Sequence, residues 1–157
     1  MLPQVINQLI KLYGAMDDAL DMFVAEMKAL GVWESVTLQT LSEFARTMTS
    51  NGRGTDHAWG GNHFTMGGDV RGGVIHGQFP ELRADGPNSI SSTGQMLPTS
   101  PWEAIWRPIA EWFGVEEAQM STVLPNLPAF SDGHLIATEQ MFGRAGGGGE
   151  GARERRM

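Results

Sequence analysis

The chain has 157 residues, the length of about one domain, and 41% of them are hydrophobic, enough to fill a core. It carries 18 Asp+Glu against 11 Lys+Arg and a net charge of -7, which argues against nonspecific binding to nucleic acid or anionic membranes, since both are polyanions. There is no cysteine, so disulfides, thiolate nucleophiles and Cys-ligated metal sites are excluded.

Residues 3–30 are expected to form one long amphipathic helix. Val5, Ile6, Leu9, Ile10, Tyr13, Met16, Leu20, Phe23, Val24, Met27 and Leu30 recur at spacings of three and four. Pro3 suits the first turn and Gly31 the C-terminal cap. Val36 to Leu41 alternates as a short strand does, and Ser42 to Met48 is expected to open a further helical turn. A helix followed by a strand points to a layered α/β arrangement.

Residues 52–77 change character, with nine glycines. They are expected to form loops with two short extended pieces, Phe64 to Met66 and Val74 to His76. Residues 83–99 are rich in turn formers and read as a surface loop. A second helix is expected to open at Ser100, with Ser100 as N-cap, Pro101 in the first turn and Glu103 completing a capping box. Pro108 should kink it and Gly114 should end it. A third helix is expected over Glu116 to Val123, so residues 100–123 are helical in the main. Residues 1–142 then form the folded part and 143–157 a disordered Gly/Arg tail. No apolar run reaches the roughly 20 residues of a membrane span, and no signal peptide is visible.

The chemistry concentrates in Gly54 to His63, which places Asp56, His57 and His63 within eight residues of a glycine-rich stretch. A carboxylate and neutral imidazoles suit zinc, manganese or iron at about 2.0–2.2 Å. The plainer reading is a loop Asp and His that hydrogen-bond the backbone. Glu43 and Arg46 follow the first strand, either as a surface i,i+3 pair or as groups that orient a ligand at the strand's end. His76 reads as structural and His134 as a turn residue. Trp102, Trp106 and Trp112 read as core. No Walker motif and no Gly-x-Ser-x-Gly elbow is present.

Taken together, these stretches resemble the C-terminal part of the family called "domain of unknown function 1501", placed in the alkaline-phosphatase-like superfamily beside sulfatases and phosphomutases. The resemblance rests on Val36 to Arg46 (VTLQTLSEFAR), Asn51 to Gly68 (NGRGTDHAWGGNHFTMGG), Val70 to Pro80, and Leu97 through Val115 to Leu127. It implies the C-terminal portion of an α/β/α sandwich with a mostly parallel sheet. It also implies a metal-dependent phosphoester or sulfoester hydrolase. Asp56 and His57 match that superfamily's ligand pair, and His63 matches a later ligand. Glu43 and Arg46 would stand behind them or touch the anion. Ala45 and Ala58 depart from the family pattern, which usually has glycine at both.

The remaining ligands and any nucleophile would come from an N-terminal portion that this chain lacks. It is therefore expected to act as an inactive partial domain with an exposed sheet edge prone to self-association. In the full-length relatives the substrate would be a small anionic ester, and many of those relatives look exported. The alternative reading is a non-catalytic binding or scaffold module with a structural glycine-rich loop.

Overall fold

The computed structural model describes residues 2–143, with side chains from residue 5 onward. The tail expected over 143–157 therefore lies outside the described residues, apart from Gly143.

Helix α1 spans Leu2–Ala29. Its apolar residues fall on one stripe, and Lys28 in the last turn complements the negative end of the helix dipole. Gly31, at φ 69, closes it in the left-handed conformation. The Val32 amide donates to the Met27 carbonyl and the Gly31 amide to the Lys28 carbonyl, a Schellman ending. α1 rests on the short turn Trp33–Ser35, and much of its apolar stripe is exposed, Ile6, Leu9 and Tyr13 included.

Four strands follow: β1 (Thr37–Gln39), β2 (Ala45–Ser50), β3 (Thr55–Ala58) and β4 (Thr65–Gly67). β1 pairs antiparallel with β4, Leu38 facing Met66. β2 and β3 form a hairpin in which Ala45 faces Ala58, Arg46 faces His57 and Ser50 faces Thr55, with a register irregularity between Arg46 and Ser50. The hairpin turn is held by Asn51, whose Oδ1 accepts from the Arg53 and Gly54 amides.

The class is mixed α/β, as the sequence suggests, but its finer form differs. Among the described residues the sheets are two-stranded and antiparallel, and no parallel sandwich forms. Parallel pairing needs a crossover of a dozen or more residues, usually a helix, between neighbouring strands. Here β2 and β3 are joined by a tight turn, and both long helices lie outside the run of strands.

Three local expectations also change. Ser42 to Met48 does not turn into a helix; β2 begins at Ala45, where the chain finds β3 to pair with. Val74 to His76 forms no strand, having no partner strand among the described residues. Ser100 does not cap the second helix. α2 spans Glu103–Phe113 with Trp102 at its cap and no side-chain cap bond. Its first turn is closed instead by the Ala104 amide donating to Pro101 and the Ile105 amide to Trp102. α2 continues through Pro108, whose ring is fully buried, and ends at Gly114 with φ 99.

Helix α3 covers Glu117–Val123 and a single turn, α4, covers Thr138–Met141. The core is small. Ala104, Ile136, Met141 and Phe142 are buried together, with Val70, Ile109, Trp112 and Leu135 packed against them. The Phe142 ring stacks on Trp112 at 5.1 Å between centroids. Arg71 donates to the carbonyls of Met141 and Phe142, so the segment after α3 is tied back under α2.

The loop over residues 83–99 is not free at the surface. It lies along β2, whose Met48 and Thr49 amides donate to Gly94 and Thr93. The Gly60 amide donates to Met96 O at 2.8 Å. A Cβ on Gly60 would sit 2.8 Å from Met96 O and Pro98 N, and one on Gly68 2.6 Å from Trp33 O. At both positions the glycine serves close approach of two backbones.

Candidate functional site

The candidate site is built on the β2–β3 hairpin. Phe44, just before β2, carries the His57 ring stacked at 4.0 Å between centroids and 12° between planes. Arg46 stands directly across the hairpin from His57. Its guanidinium carbon lies 5.0 Å from the Phe44 ring centroid, and Nη1 donates to the Thr55 carbonyl at 3.0 Å. One aromatic ring thus touches both cation-capable side chains. A shallow cleft of about 410 Å³ opens beside them, lined by Glu43, His57, Ala58, Trp59, Ile90 and Gln95. Gln95 reaches across from the 83–99 loop and donates to the His57 carbonyl at 3.3 Å.

Asp56 takes no part in that cleft. Neighbouring positions on a strand face opposite sides of the pleat. The Asp56 carboxylate accepts from Asn51 Nδ2 at 2.6 Å, toward the turn, and its amide donates to Thr47 Oγ1 at 3.0 Å. The register irregularity in β2 lies opposite this residue. Irregularities of this kind re-aim side chains and concentrate near functional sites. His63 lies in a different group, edge-on to Trp102 at 5.3 Å, with Trp102 in turn edge-on to Trp106 at 5.9 Å.

Of the five residues singled out from the sequence, Glu43 and His57 share the cleft and Arg46 is the cross-strand partner of His57, while Asp56 and His63 go elsewhere. Among the described residues no three His, Asp or Glu side chains gather in a way that could hold an ion. His134 keeps a turn-like place, its Nδ1 paired with Ser131 Oγ at 2.9 Å.

Phe44 and Gln95 were missed in the sequence. For Phe44 the signal was its period-2 spacing to Arg46. For Gln95 there was none, because its contact spans 38 residues. Of the three tryptophans expected in the core, Trp112 is packed there, whereas Trp102 is 45% exposed. Its neighbour Trp106 is half-buried.

The model of the family described as "Protein of unknown function (DUF1501)" matches residues 4–120, well over half of the chain, and the chain belongs to that family. No curated protein and no solved structure matches it.

Proposed function

We propose that this member of the family is an anion-recognising part of an alkaline-phosphatase- or sulfatase-like protein, and that the 157-residue chain binds phosphate or sulfate esters without turning them over. One observation carries the reading: Arg46 and His57 are cross-strand partners on a shared Phe44 platform, beside an open cleft. A guanidinium is always charged and its planar fork matches the oxygens of phosphate and sulfate. Only one of the five Arg46 donors is used by Thr55. Glu43 lines the cleft and can accept a hydrogen bond only from a free hydroxyl or amine elsewhere on the organic group of an ester. The resemblance of Asn51 to Gly68 to the superfamily's Asp-His block supports the ester class.

Turnover is not assigned to this chain. Asp56, His57 and His63 do not close on one point, so a zinc, manganese or iron ion here would need ligands from another surface. No step is routed through a metal. Positioning is the larger part of catalysis in such sites, and a partial donor set does not supply it.

A second reading is a scaffold whose glycine-rich loop is structural. It is favoured by the close backbone approaches at Gly60 and Gly68, which packing alone explains.

The test is a titration of the chain with inorganic sulfate and phosphate, followed by nuclear magnetic resonance at His57, beside assays with p-nitrophenyl phosphate and sulfate. Saturable binding that disappears in Arg46→Ala, with no turnover, is the expected result. Absence of binding in a folded sample leaves the scaffold reading. Turnover lost in Asp56→Ala would show a catalytic site instead. Near one metal per chain by plasma mass spectrometry, lost in the Asp56→Ala/His57→Ala control, would show that the pair does hold an ion.

A further inference from the structure

Helix α1 carries an apolar stripe that its own chain leaves open at one end. Ile6, Leu9, Tyr13 and Met16 recur at alternating spacings of three and four, the seam of a helix that packs on another helix. Val5, Ile10 and Leu12 widen the stripe on its two flanks. All seven residues are 41–66% exposed. The same repeat continues through Leu20, Phe23 and Met27, but these are half-buried, and α1 meets the Trp33–Ser35 turn at that end. The open part spans residues 5–16 and includes one charged residue, Lys11, which falls on the opposite side of the helix. Acidic residues begin directly after it, with Asp17, Asp18 and Asp21.

We propose that this open part of α1 is a docking surface for a second copy of the chain, the two helices packing antiparallel with Leu9 level with the partner's Tyr13 and Ile6 level with the partner's Met16. In an antiparallel pair the two alternating sets of seam positions face each other, and this register does so at every layer. The exposed side chains leave on the order of 600 Å² open on each copy, within the roughly 600–1,000 Å² per partner of a stable interface. A contiguous apolar patch of that size marks an interaction site. Charge fixes the order of the helices. Antiparallel packing sets Asp17 and Asp18 of each copy beside the first turn of the other helix, where the dipole is positive and no acidic residue stands. Parallel packing would instead lay the acidic clusters side by side and bring the two folded bodies together at one end. Two other occupants fit less well. A membrane-surface helix has a basic polar face, whereas α1 has four acids against Lys11 and Lys28. Residues 144–157 are rich in glycine and arginine and hold no apolar run to lie along the stripe. The inference rests on α1 and not on the anion-binding reading of the hairpin.

The test is the mass of the full chain across a concentration series, by sedimentation equilibrium. The expected result is a monomer–dimer equilibrium. Leu9→Glu should raise its dissociation constant at least about tenfold, while Met22→Glu, at a 75% exposed position on the other side of α1, should leave it within about twofold. The chain has no cysteine, so Leu9→Cys and Tyr13→Cys read the register directly. Under mild oxidation a mixture of the two variants should form the mixed disulfide dimer faster than either variant links to itself. A monomer at every concentration, a dimer unchanged by Leu9→Glu or weakened equally by Met22→Glu, or faster linking within each cysteine variant than between them would each overturn the proposal.

Discussion

Ala45 and Ala58 are direct partners across the β2–β3 hairpin. Neither takes a positive φ, so both methyl groups are accommodated without strain. Ala45→Gly and Ala58→Gly should each lower unfolding stability by about 0.5–1 kcal/mol, since glycine loses more backbone freedom in a strand. Urea midpoints of the two variants check this, and an unchanged midpoint would mean that the pairing adds nothing.

Gly60 and Gly14 should respond in opposite directions to the same substitution. A Cβ on Gly60 would meet Met96 O and Pro98 N at 2.8 Å and the Leu97 carbonyl carbon at 2.9 Å. All three are backbone atoms, so the 83–99 loop must move. Gly60→Ala is expected to cost about 1–3 kcal/mol, as overpacking does. Gly14 lies inside α1 with nothing within 4 Å of its would-be Cβ. Gly14→Ala should raise helix stability by about 1 kcal/mol, seen as greater helicity by circular dichroism.

Asp69 ties the glycine-rich segment to the core. Its Oδ2 accepts from Trp112 Nε1 at 2.9 Å, and its carbonyl accepts the Gly143 amide at 2.8 Å. Asp69→Ala leaves the half-buried indole N–H without its partner and should cost about 1–3 kcal/mol. The near-ultraviolet circular dichroism of the Trp112–Phe142 stack should weaken with it, which distinguishes this effect from a loss of stability alone.

Arg107 joins three carboxylates around α2. Nε meets Glu111 at 2.9 Å, Nη1 meets Asp132 at 3.4 Å and Nη2 approaches Glu117 at 3.9 Å. The hydrogen bond to Glu111 leads the effects that hold its guanidinium pKa above the ordinary value, so it stays charged at every working pH. Glu111 also accepts from the Thr138 hydroxyl. Arg107→Met should cost about 1 kcal/mol, most of it through the Glu111 contact, because Glu117 and Asp132 are largely exposed. A thermal-unfolding series in rising salt checks the division: the difference from wild type should shrink only slightly if the half-buried pair dominates.

α1 was legible because its signal is local. Apolar residues at three- and four-residue spacing and a glycine after the last turn act within a few residues of each other. The Gly114 cap was legible for the same reason. β2 was not, because Phe44 to Ser50 carries no strand signal strong enough to outweigh a helical one, and its pairing with β3 decides the matter. The start of α2 was misread because Ser-Pro-x-Glu is a helix-start pattern whether or not the chain turns there. In the structure the first turn is closed by the Ala104 and Ile105 amides, which donate to the carbonyls of Pro101 and Trp102.

The candidate site divides in the same way. Its residue types were visible in the sequence: a carboxylate, two imidazoles and a guanidinium on or beside a glycine-rich segment. Their grouping was not. Adjacency of Asp56 and His57 in the chain suggested a shared ligand, but adjacency on a strand separates side chains. Arg46 and His57, 11 residues apart, are brought together by hairpin register.

By itself, then, the sequence determined composition, charge, the absence of thiol chemistry, the long amphipathic helix and the family. Each of these depends on residue identity or on spacing within a turn or two of backbone. The tertiary structure alone decided that the strands pair antiparallel, and that His57 shares a cleft with Glu43 and a cross-strand pairing with Arg46, away from Asp56. Those relationships depend on register and on contacts between distant segments, where the energy of burial and pairing outweighs local preference.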